Sequence, residues 1–408
     1  MRRLPLIVLA ACGGDEPTQP GADSATDTPP QMCEALPAMG QFTRRNGNPE
    51  IVAGATFTDG KLDVAFSDPD LRFDATANRF ELFYTAEHAT AFGVAGTQVI
   101  RRATSPDRLA WTVDDEPALE PSAAIDAWDR ATTEAPSVVV NPAAPADRRY
   151  LMMYAGSSQA FPHAGYNFAE SRIGAAFSAD GVTWTRVAAA DSPHGQAGLV
   201  LTAQQIYPGA VGAIVDDPEV VLEDGIYHLF FSSFACMGAD CATPIARGIG
   251  HATSADGITW TPAQSPVKSL LEASADDLTG GSSPAAIYDA VHCRWELWQN
   301  RDRGNDVASQ PVQLESTAGV WHAESSDALQ WSVFFAGQRD LAWNQAQPAA
   351  GEKLGLRTGF DVADFTGGRV MVYVGYDDAN VPANSVLPTA NSTRAGVMTI
   401  NIATRDVP

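Results

Sequence analysis

A twelve-residue phrase that occurs twice constrains the fold of this chain more than any other feature. Residues 173–184 read IGAAFSADGVTW, and residues 249–260 read IGHATSADGITW. Two fainter copies end at Trp111 and Trp331, so the four closing tryptophans are 73, 76 and 71 residues apart. A fixed period of this size is typical of a chain built from repeated structural units.

Each repeat carries the signals of short β-strands. In the third unit, β-rich runs at 218–222 and 226–233 are separated by Glu-Asp-Gly, and runs at 248–254 and 258–261 by Ala-Asp-Gly. Such runs around Asp-Gly turns predict antiparallel hairpins, and four strands per unit fit one blade of a β-propeller. Runs that match the second strand of this unit recur at 79–84, 149–154, 295–298 and 370–374.

The sequence therefore predicts an all-β fold, a five-bladed β-propeller with four antiparallel strands per blade, over residues 48–408. Five units of about 72 residues need about 360 residues, which is what remains after the N-terminal region. The repeated phrase then covers a third strand, its hairpin turn and the start of a fourth strand. We interpret it as scaffold, in which the Asp supports the turn, the Gly adopts a positive φ and the Trp packs between neighbouring blades.

The N-terminus resembles the signal of a bacterial lipoprotein. Arg2 and Arg3 precede an apolar stretch, Leu4–Ala11, that is too short to cross a bilayer. The tetrapeptide Leu-Ala-Ala-Cys that ends at Cys12 matches a lipobox, in which this cysteine is lipidated and becomes the first residue. We therefore expect a signal peptide at 1–11.

The segment after Cys12 is rich in Gly, Asp, Pro and Thr and nearly free of apolar residues, so it cannot bury enough surface to fold. We expect a disordered tether over 12–47, ahead of the propeller domain. Gly13 follows the lipidated position, which resembles the pattern sorted to the outer membrane. The predicted location is the bacterial cell envelope, periplasmic or surface-facing, with the membrane contacted only through the N-terminal lipid.

Four cysteines remain, and an even number in an exported protein favours disulfides. Cys236 and Cys241 lie close together in an apparent loop and are predicted to pair. Cys33 and Cys293 are left over, and whether they pair stays open. Zinc binding is the alternative, but no second close pair of Cys or His flanks these residues, so we assign no metal.

The chain contains 49 acidic and 26 basic residues, which gives a formal net charge of −23. A surface this anionic repels phosphate backbones, so nucleic acid is not expected as a partner. The composition fits an exported protein that handles a neutral ligand, and we expect a monomer.

In a propeller the first strand of each blade faces the central channel, so the starts of these strands converge at one mouth. Aligned on a proline, three of the starts carry a carboxylate: Asp68, Glu134 and Asp217. The other two present Ser282 and Arg357. Crowded carboxylates raise one another's pKa values, so one can act as an acid while another stays ionised, and glycoside hydrolysis needs such a pair.

Three segments resemble the five-bladed propellers of glycoside hydrolase families 43, 32 and 68, the relatives of arabinanases, xylosidases, invertases and levansucrases. They are WDRATTEAPSVV at 128–139, MMYAG at 152–156 and the phrase at 173–184. The resemblance implies that Asp68 acts as base or nucleophile. It also implies that Asp217, which precedes a proline, tunes the pKa of a neighbour.

One residue of the family pattern is missing from this chain. The arabinanase-like general acid is a fourth-blade Glu two residues before a proline, and this position is Ser282. Invertase-like enzymes place an Asp in the second blade and a Glu in the third, where this chain has Glu134 and, just past the proline, Glu219. We take Glu134 as the substitute acid. The structural alternative is that Asp68, Glu134 and Asp217 cap strand starts and accept hydrogen bonds from backbone amides of the next blade.

Trp128 and Tyr154 are candidates for stacking on a sugar ring, with Glu219 and Arg357 as further substrate contacts. Propeller cores also need aromatic residues, so a structural role for both rings is the alternative. Some relatives hold a structural cation in the channel, but we assign no residue of this chain to one and expect no cofactor.

The sequence thus predicts a glycoside hydrolase that acts on neutral oligo- or polysaccharides through carboxylate acid/base catalysis at the channel. The alternative is a catalytically inactive, lipid-anchored propeller that binds glycans or serves as a scaffold, because the acid pattern is incomplete. A sialidase-like function would use Arg247, Arg301 and Arg357 to clamp a carboxylate, but sialidases have six blades and this chain shows five units.

Overall fold

The computed structural model describes residues 33–34, 41–92, 94, 96–158, 171–210, 212–237, 243–263, 282–300, 319–334, 340–342, 347, 349–350, 352, 355–365, 368–377 and 397–405. Within these ranges the protein is all-β, as predicted. Helical structure there is limited to a 3₁₀ turn at Ala146–Arg148 and one helical turn, α1, at Ala203–Ile206. No described helix is long and apolar enough to cross a membrane.

The described strands fall into five consecutive groups of at least four antiparallel strands, and a parallel pairing of Gln98 with Thr132 joins the first two groups into one nine-stranded sheet. The first described strand, β1 (Thr43–Arg44), belongs to the last of these groups. Group one contains β2 (Leu62–Asp74), β3 (Arg79–Ala89), β4 (Thr97–Ser105) and β5 (Thr112–Val113). Group two contains β6 (Thr132–Val140), β7 (Tyr150–Ser157), β8 (Arg172–Ser178) and β9 (Thr185–Arg186), and β10 (Leu199–Leu201) also pairs with β8.

The remaining three groups repeat this order. Group three contains β11 (Gly212–Glu223), β12 (Ile226–Met237), β13 (Thr243–Ser254) and β14 (Thr261–Pro262). Group four contains β15 (Ser282–Asp289), β16 (Arg294–Asn300), β17 (Gly319–Ser325) and β18 (Ser332–Phe334), and β19 (Leu341–Ala342) also pairs with β17. Group five contains β20 (Gly355–Phe365), β21 (Gly368–Asp377), β22 (Val397–Arg405) and β1.

The first strands of the groups lie side by side in a cyclic order. Strand β2 contacts β6, β6 contacts β11, β11 contacts β15, β15 contacts β20, and β20 contacts β2. The last group is completed from the N-terminal side, because Thr43 of β1 pairs with Thr404 of β22 and Phe42 is buried. Strand β1 lies within residues 12–47, which the sequence assigned to the tether.

Hydrophobic packing between neighbouring groups holds this arrangement together. Among the described residues there are five hydrophobic clusters, one at each of the five junctions. Successive residues of a strand point to opposite faces of a sheet. Leu82 of β3 therefore joins the cluster shared with group five, while Phe83 joins the cluster shared with group two. Both faces of each sheet are buried, which explains the continuous apolar runs in the second strands.

The repeated phrase forms the turn between the third and fourth strands. Ser178 Oγ accepts hydrogen bonds from the backbone N–H groups of Asp180 (3.2 Å) and Gly181 (2.9 Å). Asp180 Oδ1 accepts from the N–H groups of Val182 (2.8 Å) and Thr183 (2.9 Å), and these backbone bonds hold the pKa of this carboxyl below its usual range. Equivalent turns follow Ser105, Ser254 and Ser325.

The glycine of the phrase has a positive φ, 72° at both Gly181 and Gly257, and the fainter copies place Arg108 (63°) and Ala328 (60°) there. The closing tryptophans pack into the clusters between groups, with Trp260 at the junction of groups two and three and Trp331 at that of three and four. The scaffold interpretation of the phrase agrees with these contacts.

We predict that Asp180→Ala and Asp256→Ala each lower the free energy of unfolding by about 1 kcal/mol, because each leaves two turn N–H groups without their acceptor. Urea denaturation of the purified variants measures the change. Asp180→Asn and Asp256→Asn are the matched controls, since the amide oxygen remains an acceptor, and they should lose less. Equal losses in the Ala and Asn variants would contradict this role of the carboxylates.

The structure contains a disulfide between Cys33 and Cys293, the pairing that the sequence left open. It joins the N-terminal segment to the turn between β15 and β16, where Glu34 N–H also donates to the Val291 carbonyl (3.1 Å). The Cys236 side chain and residue 241 lie outside the described part of the chain, so the Cys236–Cys241 disulfide stays a prediction. Cys12 and the rest of the signal region also lie outside it.

Candidate functional site

The first strands share a bulge next to a proline. Asp68, Ala135, Asp217 and Ser283 have φ values of 48°, 47°, 45° and 47°, and each directly precedes a proline. At each of these places two residues of the first strand lie opposite one residue of the second strand, so one extra residue interrupts the register. A non-glycine residue with positive φ is uncommon and costs backbone energy, so a conformation repeated four times indicates a constrained structural position.

These bulges line one pocket, as expected from their equivalent places in the repeat, but in β2 and β11 they lie in the middle of the strand and not at its start. The pocket is formed by the four left-handed residues, the prolines that follow them, Glu219, and Phe360 of β20. Five strands from five groups therefore meet there. Asp68 and Asp217 contribute carboxylates to this pocket.

Glu134 lies one residue earlier than Asp68 and Asp217 in the shared register. It precedes the left-handed Ala135 and pairs with Ala155, just as Asp216 precedes the left-handed Asp217 and pairs with Ser232. The structural counterpart of Glu134 is therefore Asp216. The spacing to the proline agrees with this difference, because Glu134 is two residues before Pro136 whereas Asp68 is one residue before Pro69.

Asp216 is a site residue that the sequence analysis missed. Burial raises the pKa of Asp216 well above its usual value, and repulsion from Asp217, Glu134 and Asp68 raises it further. Four carboxylates thus lie close enough to influence one another beside the bulges of the first strands. The doublet Asp216-Asp217 ahead of Pro218 was the available signal, because it fills both positions of the bulge with acids.

Two of these carboxylates are held by hydroxyl groups of the second strands. Ser232 Oγ donates to Asp217 Oδ2 (2.8 Å), and Ser283 Oγ donates to the same oxygen (3.1 Å). Thr85 Oγ1 donates to Asp68 Oδ2 (3.4 Å). Glu134, which is buried, accepts a hydrogen bond from Thr132 Oγ1 (3.3 Å).

A second set of acids lies just past the prolines and joins neighbouring groups. Asp70 Oδ1 accepts from Val138 N–H (3.3 Å), and Asp361 Oδ2 accepts from Leu71 N–H (2.7 Å). In the same way, Ser137 Oγ accepts a hydrogen bond from Val220 N–H (2.9 Å), and Glu219 Oε1 accepts one from Ala286 N–H (3.5 Å). Asp70, Glu219 and Asp361 therefore accept hydrogen bonds from backbone amides of the next group.

These inner acids are buried and repel one another. Burial raises the pKa of Asp361 to about 6, although the N–H groups of Leu71 and Val362 partly oppose the shift. The pKa values of Asp70 and Glu219 are raised well above their usual range by burial and by the Asp361 carboxylate. Between about pH 4 and pH 6, the carboxyl groups of Asp70, Glu219 and Asp361 therefore bind more protons in the folded protein than in the unfolded chain.

We predict that the contribution of Asp361 to the free energy of unfolding rises as the pH falls from 7 to 5. Asp361 has a higher pKa in the folded state than in the unfolded chain, so its stabilising effect is full below about pH 4 and is lost as the pH rises through 6. The gain from Asp361 alone is on the order of 1 kcal/mol, measured by denaturant unfolding at each pH. Asp361→Asn should flatten this dependence, and an unchanged slope in that variant would contradict the assignment.

Two aromatic candidates for sugar binding lie inside the protein. Trp128 and Tyr154 are buried and stack on each other with ring centroids 5.6 Å apart, within the cluster between groups one and two. Tyr154 Oη donates to Asp129 Oδ2 (2.9 Å), which also accepts from Arg186 Nε (2.7 Å). Both rings are covered by protein, so the structural alternative describes them. Arg357 lies in β20, and its side chain is outside the described part of the chain.

A group of possible metal ligands lies away from the pocket, between groups four and five. Glu296, His322 and Glu324 each place one ligand atom within 4.8 Å of the others. Glu296 accepts from Arg369 Nη1 (2.7 Å) and from Arg294 Nη2 (3.0 Å), and its Oε2 lies 2.8 Å from His322 Nε2. Despite burial, the His322 contact and the two guanidinium groups hold the pKa of Glu296 at about 2. Because guanidinium groups occupy its lone pairs, Glu296 fits an ion-pair network better than a cation site.

Comparison with known proteins gives similarity in structure but not in sequence. No family model and no curated protein matches the chain. It resembles a glycosyl hydrolase from Bacteroides ovatus with a TM-score of 0.55 and 17% identity, over 91% of this chain and 96% of that one. It also resembles a structure of the GH130 family of mannoside phosphorylases, which contains glycoside hydrolases that target β-1,2-mannosidic linkages in Candida mannan. This similarity has a TM-score of 0.55 and 16% identity, over 91% of this chain and 96% of that one.

A third similar structure has a different activity. It is an N-acetylgalactosamine deacetylase from F. plautii in complex with blood group B trisaccharide, with a TM-score of 0.57 and 13% identity, over 90% of this chain and 95% of that one. These similarities show the fold alone: the chain shares the all-β, propeller-type fold of these structures. They do not distinguish among reactions, because one fold supports several chemistries.

Proposed function

We propose that the protein is a five-bladed propeller that hydrolyses glycosidic bonds in neutral oligo- or polysaccharides. The observation that carries this proposal is the gathering of Asp68, Glu134, Asp216 and Asp217 beside the bulges of the first strands. The cyclic contacts of the first strands and the five junction clusters support five blades. The similar structures support a carbohydrate as the ligand.

The proposed mechanism needs one carboxyl group that is ionised and one that is protonated. Asp68 as a carboxylate takes a proton from a water molecule, which attacks the anomeric carbon. A protonated Glu134 or Asp216 gives its proton to the glycosidic oxygen as the carbon–oxygen bond breaks, so the products are a hemiacetal and an alcohol. The raised pKa of Asp216 suits the second role. Asp217 lies between these groups and tunes their charge.

We predict that Asp68→Asn and Glu134→Gln each lower hydrolysis of a suitable glycoside by a factor of about 10² or more, while the variants stay folded. Removing a charge from a crowded acidic site relieves repulsion, so folding should survive. Asp217→Asn should have a milder effect. Initial rates on a panel of aryl glycosides and plant or bacterial polysaccharides measure the change, and thermal unfolding confirms the fold.

Substrates with different leaving groups distinguish whether Glu134 or Asp216 acts as the acid. Loss of the acid should be partly rescued on a dinitrophenyl glycoside, whose leaving group needs no proton, and loss of the base should not be. Asp126→Asn, at an exposed position, is the matched control and should leave rates unchanged. Full activity in both Asp68→Asn and Glu134→Gln would overturn the catalytic assignment.

A catalytically inactive, glycan-binding propeller is the second candidate. It is favoured by the hydrogen bonds that fix Asp68 and Asp217 to hydroxyl groups also bonded to the neighbouring group, which is how structural acids behave. In that case calorimetry should detect glycan binding, no glycoside in the panel should be cleaved, and the Asn variants should lose stability.

We also propose that the protein is a lipoprotein of the bacterial cell envelope, attached through Cys12 and acting as a monomer. The lipobox and the polar segment after it support this proposal. The full-length protein should then partition with membranes, and Cys12→Ser should release it into the soluble fraction of a cell lysate. Equal partitioning of the two forms would contradict lipidation.

A further inference from the structure

A hydroxyl group of the second strand makes the same pair of hydrogen bonds at two junctions. Ser232 Oγ donates to Asp217 Oδ2 (2.8 Å) and accepts from the N–H of Ser283, the left-handed residue of the next group (2.8 Å). Thr85 Oγ1 donates to Asp68 Oδ2 (3.4 Å) and accepts from Ala135 N–H (2.7 Å). Both hydroxyl groups therefore connect a pocket carboxylate to the backbone of the following bulge.

The intervening junction lacks both the carboxylate and the hydroxyl. In group two the left-handed residue is Ala135, and the second-strand residue at the position of Thr85 and Ser232 is Ala155. The N–H of the next left-handed residue, Asp217, instead donates to its neighbour Asp216 Oδ1 (2.9 Å). The backbone amide can thus be satisfied without a second-strand hydroxyl. The hydroxyl is present at the two junctions where the same group carries an aspartate in the pocket.

The amide bond also fixes the direction of the hydroxyl. Once the N–H of Ser283 occupies a lone pair of Ser232 Oγ, the O–H is left to point toward Asp217 Oδ2. A donated hydrogen bond favours the ionised form of a carboxylate and restricts its rotation.

We propose that Ser232 is a positioning residue, which orients the Asp217 carboxylate and keeps it ionised, and that Thr85 does the same for Asp68. The inference rests on the proposed hydrolase function of this pocket. It adds that the charge state of the site depends on the junctions between neighbouring groups of strands. Neither hydroxyl touches the substrate in this role.

The test compares Ser232→Ala with two controls. Ser232→Ala should lower kcat about tenfold, the worth of one charge-assisted hydrogen bond. It should also move the acidic limb of the pH–rate profile to lower pH, because an Asp217 that protonates more readily repels the proposed base Asp68 less. Ser232→Thr keeps the hydroxyl and should behave like the unaltered protein. Ser233→Ala removes an equally buried hydroxyl of the same strand, one that bonds Tyr207 Oη (2.8 Å) and the Gly248 carbonyl (3.1 Å).

Ser233→Ala should lower stability without moving the acidic limb. A shift of the limb equal to that of Ser232→Ala would overturn the proposal, and so would an unshifted limb in Ser232→Ala. Thr85→Val with Thr85→Ser as its control repeats the experiment at the other junction if Ser232→Ala does not fold.

A readout without substrate separates this proposal from the proposed function. The loss of stability in Ser232→Ala should be larger at pH 7, where Asp217 is ionised, than at pH 3, and this difference should vanish in the Asp217→Asn background. If that pattern appears and no glycoside is cleaved, the hydrolase function fails while the positioning role stands. A loss that is independent of both pH and Asp217 overturns the positioning role.

Discussion

The structure depends on burying both faces of every sheet against two neighbours. A group of four strands has two apolar faces and cannot cover either by itself, so each group is stable only between the preceding and the following one. The five junction clusters meet this requirement, and the contact of β20 with β2 leaves no first strand at an open end. The period of the sequence repeat, the apolar runs in the second strands and the cyclic order of the first strands all follow from this single constraint.

The ring brings acids together that are far apart in the sequence, and the protein handles them in two different ways. At the inner level Asp70, Glu219 and Asp361 accept backbone N–H groups across junctions, and burial favours their protonated forms. At the outer level Asp68 and Asp217 receive hydroxyl donors, which favour the ionised form. The first level joins the groups, and the second provides charge at the pocket.

Local chemistry made much of the fold predictable. The Ser-x-Asp turns use hydrogen bonds between residues two or three apart. The roles of Asp180 and Gly181 in the turn could therefore be predicted from the local sequence. The convergence of the first strands followed from the repeat. The equivalence of Glu134 with Asp216 could also have been found in the sequence, because each lies two residues before a proline. The burial of Trp128 depends on packing across a junction that no local pattern encodes.

The Cys33–Cys293 disulfide determines how a pulling force on the N-terminal segment is transmitted to the rest of the fold. Cys293 follows the end of β15, while Ser283 of the pocket lies at its beginning, so the two are at opposite ends of one strand. An attachment upstream of residue 33 therefore meets the fold near the end of β15 that is away from the pocket. A mechanical load applied there passes through a covalent bond into the hairpin of group four, and it bypasses the two-residue pairing of β1 with β22, which would otherwise peel apart first.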